Sequence, residues 1–277
     1  MLVDSHCHLQ DRRFDSDREQ VLARARDAGV TALMVIGDDI ESSRAAVELA
    51  DSNDDVYAAI GVHPHNAKSV TLRDLETLAR LADCAKVVAI GEIGLDYYRD
   101  LSPRDVQMRV FQEQLQLARS LRLPVVIHSR RADEETFDVI AGYERECLPR
   151  WPKDRPLGVM HCFAGDLALA LHYVELAFVI SISGTCTYPD AERTRAVAGG
   201  IPLRWMTVET DAPYLTPQSR RGQRNEPAYI AETVRCVANI RGATFEEVAN
   251  STAKTAGSLF GLGDIGEPAA ETVREAL

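Results

Sequence analysis

The chain has 277 residues, of which 45% are hydrophobic and 26% are charged, and its 31 basic and 42 acidic residues give a formal net charge of −11. This composition excludes a disordered or fibrous chain, and the acidic balance argues against a large basic groove for nucleic acid. No run of about 18 apolar residues is present, and the first residues lack the pattern of a signal peptide. We therefore expect a cytoplasmic protein without a membrane span, and no pattern points to an obligate protein partner.

Short apolar runs alternate along the chain with longer segments in which apolar residues recur every three or four positions. The runs predict eight strands at residues 2–5, 32–36, 56–62, 87–93, 124–127, 157–160, 178–182 and 205–208. Helical periodicity predicts helices at 18–28, 40–50, 72–82 and 103–121, and after the last strand at 227–241, 245–251 and 252–260. Continuous apolar strands that alternate with amphipathic helices are typical of a parallel sheet covered on its outer face.

Eight such units favour an α/β fold of the (β/α)8 TIM barrel type. The alternative, an open doubly wound sheet, is disfavoured because no glycine-rich phosphate loop follows the first strand. No linker or repeat interrupts the pattern, so we expect a single domain over residues 1–262, with extra C-terminal helices and a tail at 263–277. The six cysteines occur singly, without a CxxC pair, which predicts reduced thiols.

Most of the histidines fall at or just after the C-terminal ends of predicted strands. They are His6, His8, His63, His65, His128 and His161. Two acids occupy matching positions, Glu92 in the fourth strand and Asp211 after the eighth. Strand C-termini converge on the face of a TIM barrel that carries the active site. A single strand histidine is usually a hydrogen-bonded core residue, but six at one barrel end predict a cluster.

The same spacing suggests how the cluster binds metal. Residues two apart in a strand point to the same side, so His6 and His8 can face the barrel axis together and, with Asp211, hold one ion. His128 and His161 would hold a second ion, with Glu92 bridging the two ions. Imidazole and carboxylate ligands together suit Zn²⁺, Mn²⁺ or another divalent ion better than Ca²⁺.

Seven short segments resemble, in the same order, the TatD family of metal-dependent deoxyribonucleases. They are DSHCHL at 4–9, GVHP at 61–64, GEIGLD at 91–96, PVVIHSR at 124–130, HCF at 161–163, ETDAP at 209–213 and RNEP at 224–227. The resemblance runs from residue 2 to about residue 260. It implies an amidohydrolase-like (β/α)8 metallohydrolase with a dinuclear site and DNA as the substrate.

Carried over residue by residue, the resemblance implies the same two sets of ligands for two divalent ions, Zn²⁺, Mg²⁺ or Mn²⁺. The catalytic residues that it implies are Glu92, Asp211 and His63, the last at a position near the substrate phosphate or the metals. A hydroxide shared by two ions would attack phosphorus. Many related barrels use a carboxylated lysine as the bridge, but none of the four lysines ends a predicted strand.

Three further residues are candidates for supporting roles. Arg130 follows the fifth strand, and Arg224 lies in the matched RNEP segment, so both are expected to contact a substrate phosphate. Glu209 lies two residues before Asp211 and is expected to orient a ligand histidine or a water molecule from behind. The alternative for Glu209 is a plain ion pair in the barrel interior.

The function that we predict is a deoxyribonuclease, specifically an exonuclease acting on the ends of single-stranded DNA. The exonuclease part follows from the family resemblance and from a site that forms a pit at a barrel rim. The alternative is a metal-dependent esterase or deacylase that uses the same hydroxide on a carbonyl carbon, because fold and metal cluster do not fix the substrate. A non-enzymatic metal-binding protein would need a ligand set with no open coordination position.

Overall fold

The computed structural model describes residues 1–148, 151–152 and 155–262, so the predicted tail at 263–277 lies outside the described residues. Within them, eight strands pair in parallel and in chain order. The strands are β1 (Leu2–Cys7), β2 (Val30–Ile36), β3 (Val56–Ile60), β4 (Val87–Asp96), β5 (Val125–Arg130), β6 (Gly158–Met160), β7 (Phe178–Ile182) and β8 (Met206–Val208). The backbone N–H of His8 donates to the carbonyl of Ala212 at 2.7 Å, which joins β1 to the segment after β8. The predicted (β/α)8 TIM barrel is confirmed.

Helices follow the strands around the outside of the barrel. They are α1 (Arg18–Asp27), α2 (Ile40–Asp51), α3 (Leu72–Leu81), α4 (Arg104–Leu121), α5 (Asp133–Cys147), α6 (Leu167–Glu175), α7 (Glu192–Gly200), α8 (Ile230–Arg241) and α9 (Phe245–Phe260). The two helices predicted at 245–251 and 252–260 form the single helix α9, because the Thr252 hydroxyl donates to the Val248 carbonyl within the helix instead of ending it. None of the described helices is long and apolar enough to cross a membrane.

Helix α9 fills one end of the barrel. Its Leu259 and Phe260 are buried in a cluster with Val3, Val88 and Val126, which lie near the starts of β1, β4 and β5. This cluster occupies the end at which the strands begin. The space inside the barrel therefore opens at the other end, where the strands finish and the predicted cluster lies.

Two strands depart from regular pairing where the predicted site residues begin. From Asp4 to Cys7, β1 advances by three residues while its partner β2 advances by two. Between Ile90 and Ile93, β4 does the same against β5. An extra residue in one strand shifts the side-chain alternation and re-aims the side chains at the bulge. The two site residues that lie in these bulges are His6 and Glu92.

Gly94 lies in β4 at a point where the backbone of β5 packs directly against it, so a substitution at Gly94 tests this contact. Its φ is +144°, and a Cβ atom added there would overlap the carbonyl of His128. We expect Gly94→Ala to lower the free energy of unfolding by about 3 kcal/mol, because backbone strain and overpacking combine. Urea denaturation measures the loss. The control is Gly142→Ala in α5, where an added Cβ atom would meet nothing closer than 3.9 Å; we expect it to leave the free energy of unfolding unchanged or to raise it. Equal free energies of unfolding for the two variants would contradict the close contact at Gly94.

Candidate metal centre

The Glu92 carboxylate lies at the middle of the cluster and is 4% exposed. Its Oε2 atom faces the β1 histidines, at 3.6 Å from His6 Nε2 and 4.0 Å from His8 Nε2. Its Oε1 atom faces three other rings, and the distances are 2.8 Å to His128 Nδ1, 3.5 Å to His63 Nε2 and 3.7 Å to His161 Nε2. The two oxygens of one carboxylate thus divide the imidazoles into two groups.

Asp211 completes the first group. Its Oδ1 atom lies 3.4 Å from His8 Nε2 and 3.7 Å from His6 Nε2. The His161 ring stacks on His6 with 3.5 Å between ring centroids, and His161 Nε2 lies 4.0 Å from the same Asp211 oxygen. His161 therefore sits between the two groups rather than wholly in the second, where the sequence places it. This position follows from ring stacking, which strand spacing does not reveal.

The hydrogen bond of His8 favours a metal-binding tautomer. His8 Nδ1 lies 2.9 Å from the Ile36 carbonyl, and a carbonyl only accepts, so Nδ1 carries the proton. The lone pair of the neutral ring is then on Nε2, which lies 3.2 Å from His6 Nε2. Buried imidazole nitrogens and carboxylate oxygens that converge without a cation are the donor set that divalent transition ions prefer. The residues fit such an ion.

Burial and mutual charge shift the pKa values of the cluster strongly. Burial alone would raise the pKa of Glu92, but the imidazoles around it hold that pKa well below its usual range. Burial opposes the charged form of His161, yet Glu209 and Glu92 raise its pKa to about 10. Burial opposes His8 likewise, and Asp211 raises its pKa to about 9. Protons and metal ions therefore compete for the same nitrogens, which makes metal affinity dependent on pH.

His63 differs from His8 in the ring nitrogen that carries its proton. Its Nδ1 atom accepts a hydrogen bond from the backbone N–H of His65 at 3.1 Å, so the neutral ring carries its proton on Nε2. Burial holds the pKa of His63 well below its usual range, so the ring is neutral. His63 thus presents an N–H group toward Glu92 Oε1 rather than a lone pair.

Asp96 is a site residue that the sequence reasoning missed. Its Oδ2 atom lies 2.8 Å from His65 Nε2 and 3.2 Å from His128 Nε2. Its Oδ1 atom accepts hydrogen bonds from the backbone N–H groups of Tyr98 and Arg99, at 2.9 and 2.7 Å. The predicted fourth strand ended at residue 93, whereas β4 continues to Asp96. The sequence signal that could have identified this residue is its position as the acid at the end of the GEIGLD segment.

The candidates for supporting roles lie in different places. Glu209 Oε1 accepts the backbone N–H of Cys162 at 2.8 Å and lies 3.0 Å from His161 Nδ1, behind the cluster. Arg130 lines the cavity above the cluster. The structure does not bring Arg224 there, because its guanidinium pairs with Asp17 at 2.7 and 2.8 Å at the start of α1.

A cavity of about 1110 Å³ opens above the cluster at the C-terminal end of the barrel. Its floor is formed by His8, His63, Glu92, His128, His161 and Asp211. Its rim carries both signs of charge: acids follow β1 and β2, and arginines follow β1 and β4 and end β5. All six cysteines of the chain are free in the structure.

A family model described as TatD related DNase matches residues 3–261 of the chain. The chain belongs to this family. The crystal structure of the TatD homologue YjjV from E. coli K12 superposes on this chain with a TM-score of 0.86 at 34% sequence identity. The superposition covers 94% of this chain and 98% of YjjV.

Two curated TatD-like relatives match over nearly their whole length. The metal-dependent hydrolase YabD of Bacillus subtilis, itself uncharacterised, is 38% identical over 94% of this chain and 99% of its own. A protein named 3'-5' ssDNA/RNA exonuclease TatD, from Pantoea ananatis, is 36% identical over 94% of this chain and 100% of its own. The chain is accordingly a metal-dependent hydrolase that acts on ester bonds.

Proposed function

We propose that the chain is a deoxyribonuclease with two divalent ions, and that it removes nucleotides from the ends of single-stranded DNA. The observation that carries the dinuclear part is the division of the Glu92 oxygens between two groups of imidazoles, Oε2 toward His6 and His8 and Oε1 toward His128. The exonuclease named in Pantoea ananatis supports the substrate class.

The cluster offers two sets of ligands. One ion would be held by His6, His8 and Asp211 and the other by His128 and His161, with Glu92 shared between them. When bound, divalent ions act as Lewis acids on a phosphoryl oxygen and lower the pKa of water. Zn²⁺, Mn²⁺ and Mg²⁺ all remain candidates for this donor set.

The surrounding side chains hold the cluster in place and supply protons at stated atoms. The Glu209 carboxylate lies 3.0 Å from His161 Nδ1, where its charge would favour the protonated ring nitrogen, and Asp96 contacts His128 Nε2. The neutral His63 directs its Nε2 proton into the site, where it is placed to donate to a phosphoryl oxygen. Buried groups fixed before the reaction stabilise developing charge without reorganising.

The cavity supports a single-stranded polymer end as the substrate. Its volume of about 1110 Å³ exceeds the range of roughly 300–1,000 Å³ that is usual for small-molecule pockets. The reacting cluster lies at its floor, which a bent or terminal strand reaches more readily than a duplex. Arg130 at the rim is placed to contact a backbone phosphate.

The test uses linear single-stranded DNA labelled at either end, and circular single-stranded DNA of the same sequence, with Mg²⁺, Mn²⁺ or Zn²⁺. We expect metal-dependent release of nucleotides from the linear DNA alone. The variant His128→Ala/Asp211→Ala, prepared in the same way, controls for contaminating nuclease. Cleavage of the circle at the same rate would contradict an exonuclease, and turnover of carboxylic esters or amides without any of DNA would favour the esterase or deacylase.

Glu209 gives a prediction about metal affinity. Glu209→Gln keeps an oxygen that accepts the Cys162 N–H but removes the negative charge beside His161 Nδ1. We expect metal affinity to fall by about 10- to 100-fold, because the carboxylate raises the basicity of the ligand histidine. Competition with a chromogenic chelator measures the change. Unaltered affinity would make Glu209 a structural residue of the barrel interior only.

A further inference from the structure

The rim of the cavity is divided by charge. Asp38, Asp39 and Glu41 follow β2, and all three line the cavity. Ser42 fixes the first two, since its backbone N–H donates to Asp39 Oδ1 at 2.8 Å and its hydroxyl donates to Asp38 Oδ1 at 2.6 Å. Asp38 and Asp39 are therefore held at the rim of the cavity that contains the cluster, and exposed charges act over about 8 Å in physiological salt.

The opposite charge lies after β4 and at the C-terminal end of β5. Arg99 and Arg130 line the cavity there. Arg130 and Arg131 lie over the ring of Tyr98, at 4.0 and 4.7 Å from its centroid. The loop that carries Tyr98 and Arg99 is tied to the metal centre through their backbone bonds to Asp96, described above. We call the surface formed by Tyr98, Arg99, Leu101, Arg130 and Arg131 the arginine strip.

The arginine strip also exposes large apolar surface. Tyr98 is 48% and Leu101 is 53% exposed, and Leu101 lines the cavity. Exposed aromatic and aliphatic side chains beside guanidinium groups suit single-stranded nucleic acid, since bases stack on a ring or pack against an aliphatic side chain while the phosphates meet positive charge. A small ester substrate would need no such surface.

We propose that the arginine strip binds the part of a single strand that runs away from the scissile phosphate. This inference rests on the proposed function and adds the path of the strand to it. The strand lies across the loops after β4 and β5, with its phosphates against Arg99 and Arg130 and a base against Leu101. The acids after β2 repel the phosphates of a nucleic-acid strand on their side of the cavity. The strand therefore ends near the cluster instead of continuing across it.

The experiment measures the binding of a fluorescent, nuclease-resistant phosphorothioate oligonucleotide to the Mn²⁺-loaded protein over a range of salt concentrations. For Arg99→Ala/Arg130→Ala we expect Kd to rise by about tenfold or more. The slope of log Kd against log salt should fall by about 1.4, since each phosphate contact to a single strand contributes about 0.7. Arg99→Lys/Arg130→Lys should keep most of the slope.

Arg12→Ala is the matched control, because Arg12 lines the same cavity on the β1 side and is exposed, but lies outside the arginine strip. Equal effects of Arg12→Ala and the double variant, an unchanged slope in the double variant, or no binding by the wild type would each overturn the proposal. Strip-dependent binding without DNA cleavage under any metal would leave the arginine strip standing and reject the nuclease function.

Discussion

Glu92→Gln is expected to reduce phosphodiester hydrolysis by on the order of 10³-fold or more. The substitution keeps the volume of the side chain but replaces one carboxylate oxygen with an amide group that has no lone pair to share. In the structure each oxygen serves a different group of imidazoles, so either orientation of the amide disables one half of the site. Elemental analysis should show fewer than two ions per chain in the variant.

The control for this prediction is Glu113→Gln. It removes a carboxylate from the outer helix α4, where Glu113 pairs with Arg109 at 3.0 Å. Activity and metal content of this variant should equal those of the wild type. An active Glu92→Gln protein that still holds two ions would show that the bridging carboxylate is unnecessary, and the dinuclear account would then be incorrect.

Removal of metal is expected to lower thermal stability as well as activity. His6 Nε2 and His8 Nε2 lie 3.2 Å apart in a buried site, where both nitrogens would bind the same ion. An ion at 1,000 times its dissociation constant stabilises the folded state by about 4 kcal/mol. For a domain of this size, that corresponds to a rise in Tm of about 10 °C per ion. Calorimetry of chelated protein, followed by titration with Mn²⁺ or Zn²⁺, measures the shift.

Ca²⁺ is the matched comparison, since it prefers oxygen ligands and should shift Tm far less in an imidazole-rich site. The His128→Ala/Asp211→Ala variant should lose most of the response to Mn²⁺. A Tm that stays constant on chelation and readdition would contradict a metal centre at the cluster.

The sequence predicted the barrel and the composition of the cluster because both depend on short-range patterns. Apolar runs and helical periodicity specified eight strand–helix units, and strand ends then converge by topology. The two-residue repeat of a strand predicted that His6 and His8 face the same side, and the structure brings their Nε2 atoms to 3.2 Å although His6 lies in the β1 bulge and His8 lies just after β1.

The finer arrangement depends on features that spacing does not encode. Strand β4 contains the bulge at Glu92 and continues to Asp96, three residues past the predicted end at residue 93, and Asp96 was missed for this reason. His161 stacks on His6, which places it between the two groups of ligands. Arg224 lies in a matched segment, but Asp17, 207 residues away in the chain, pairs with its guanidinium away from the cavity. Contacts between such distant residues require the tertiary structure.

Electron paramagnetic resonance of the Mn²⁺-loaded protein tests most directly whether Glu92 bridges two ions. Two ions that share a carboxylate lie about 3.5–4 Å apart, so their spins couple. We expect wild-type protein to bind two Mn²⁺ per chain and to give the spectrum of a coupled pair, and Glu92→Gln to give only that of isolated Mn²⁺. A spectrum of isolated Mn²⁺ in fully loaded wild-type protein would contradict the dinuclear centre.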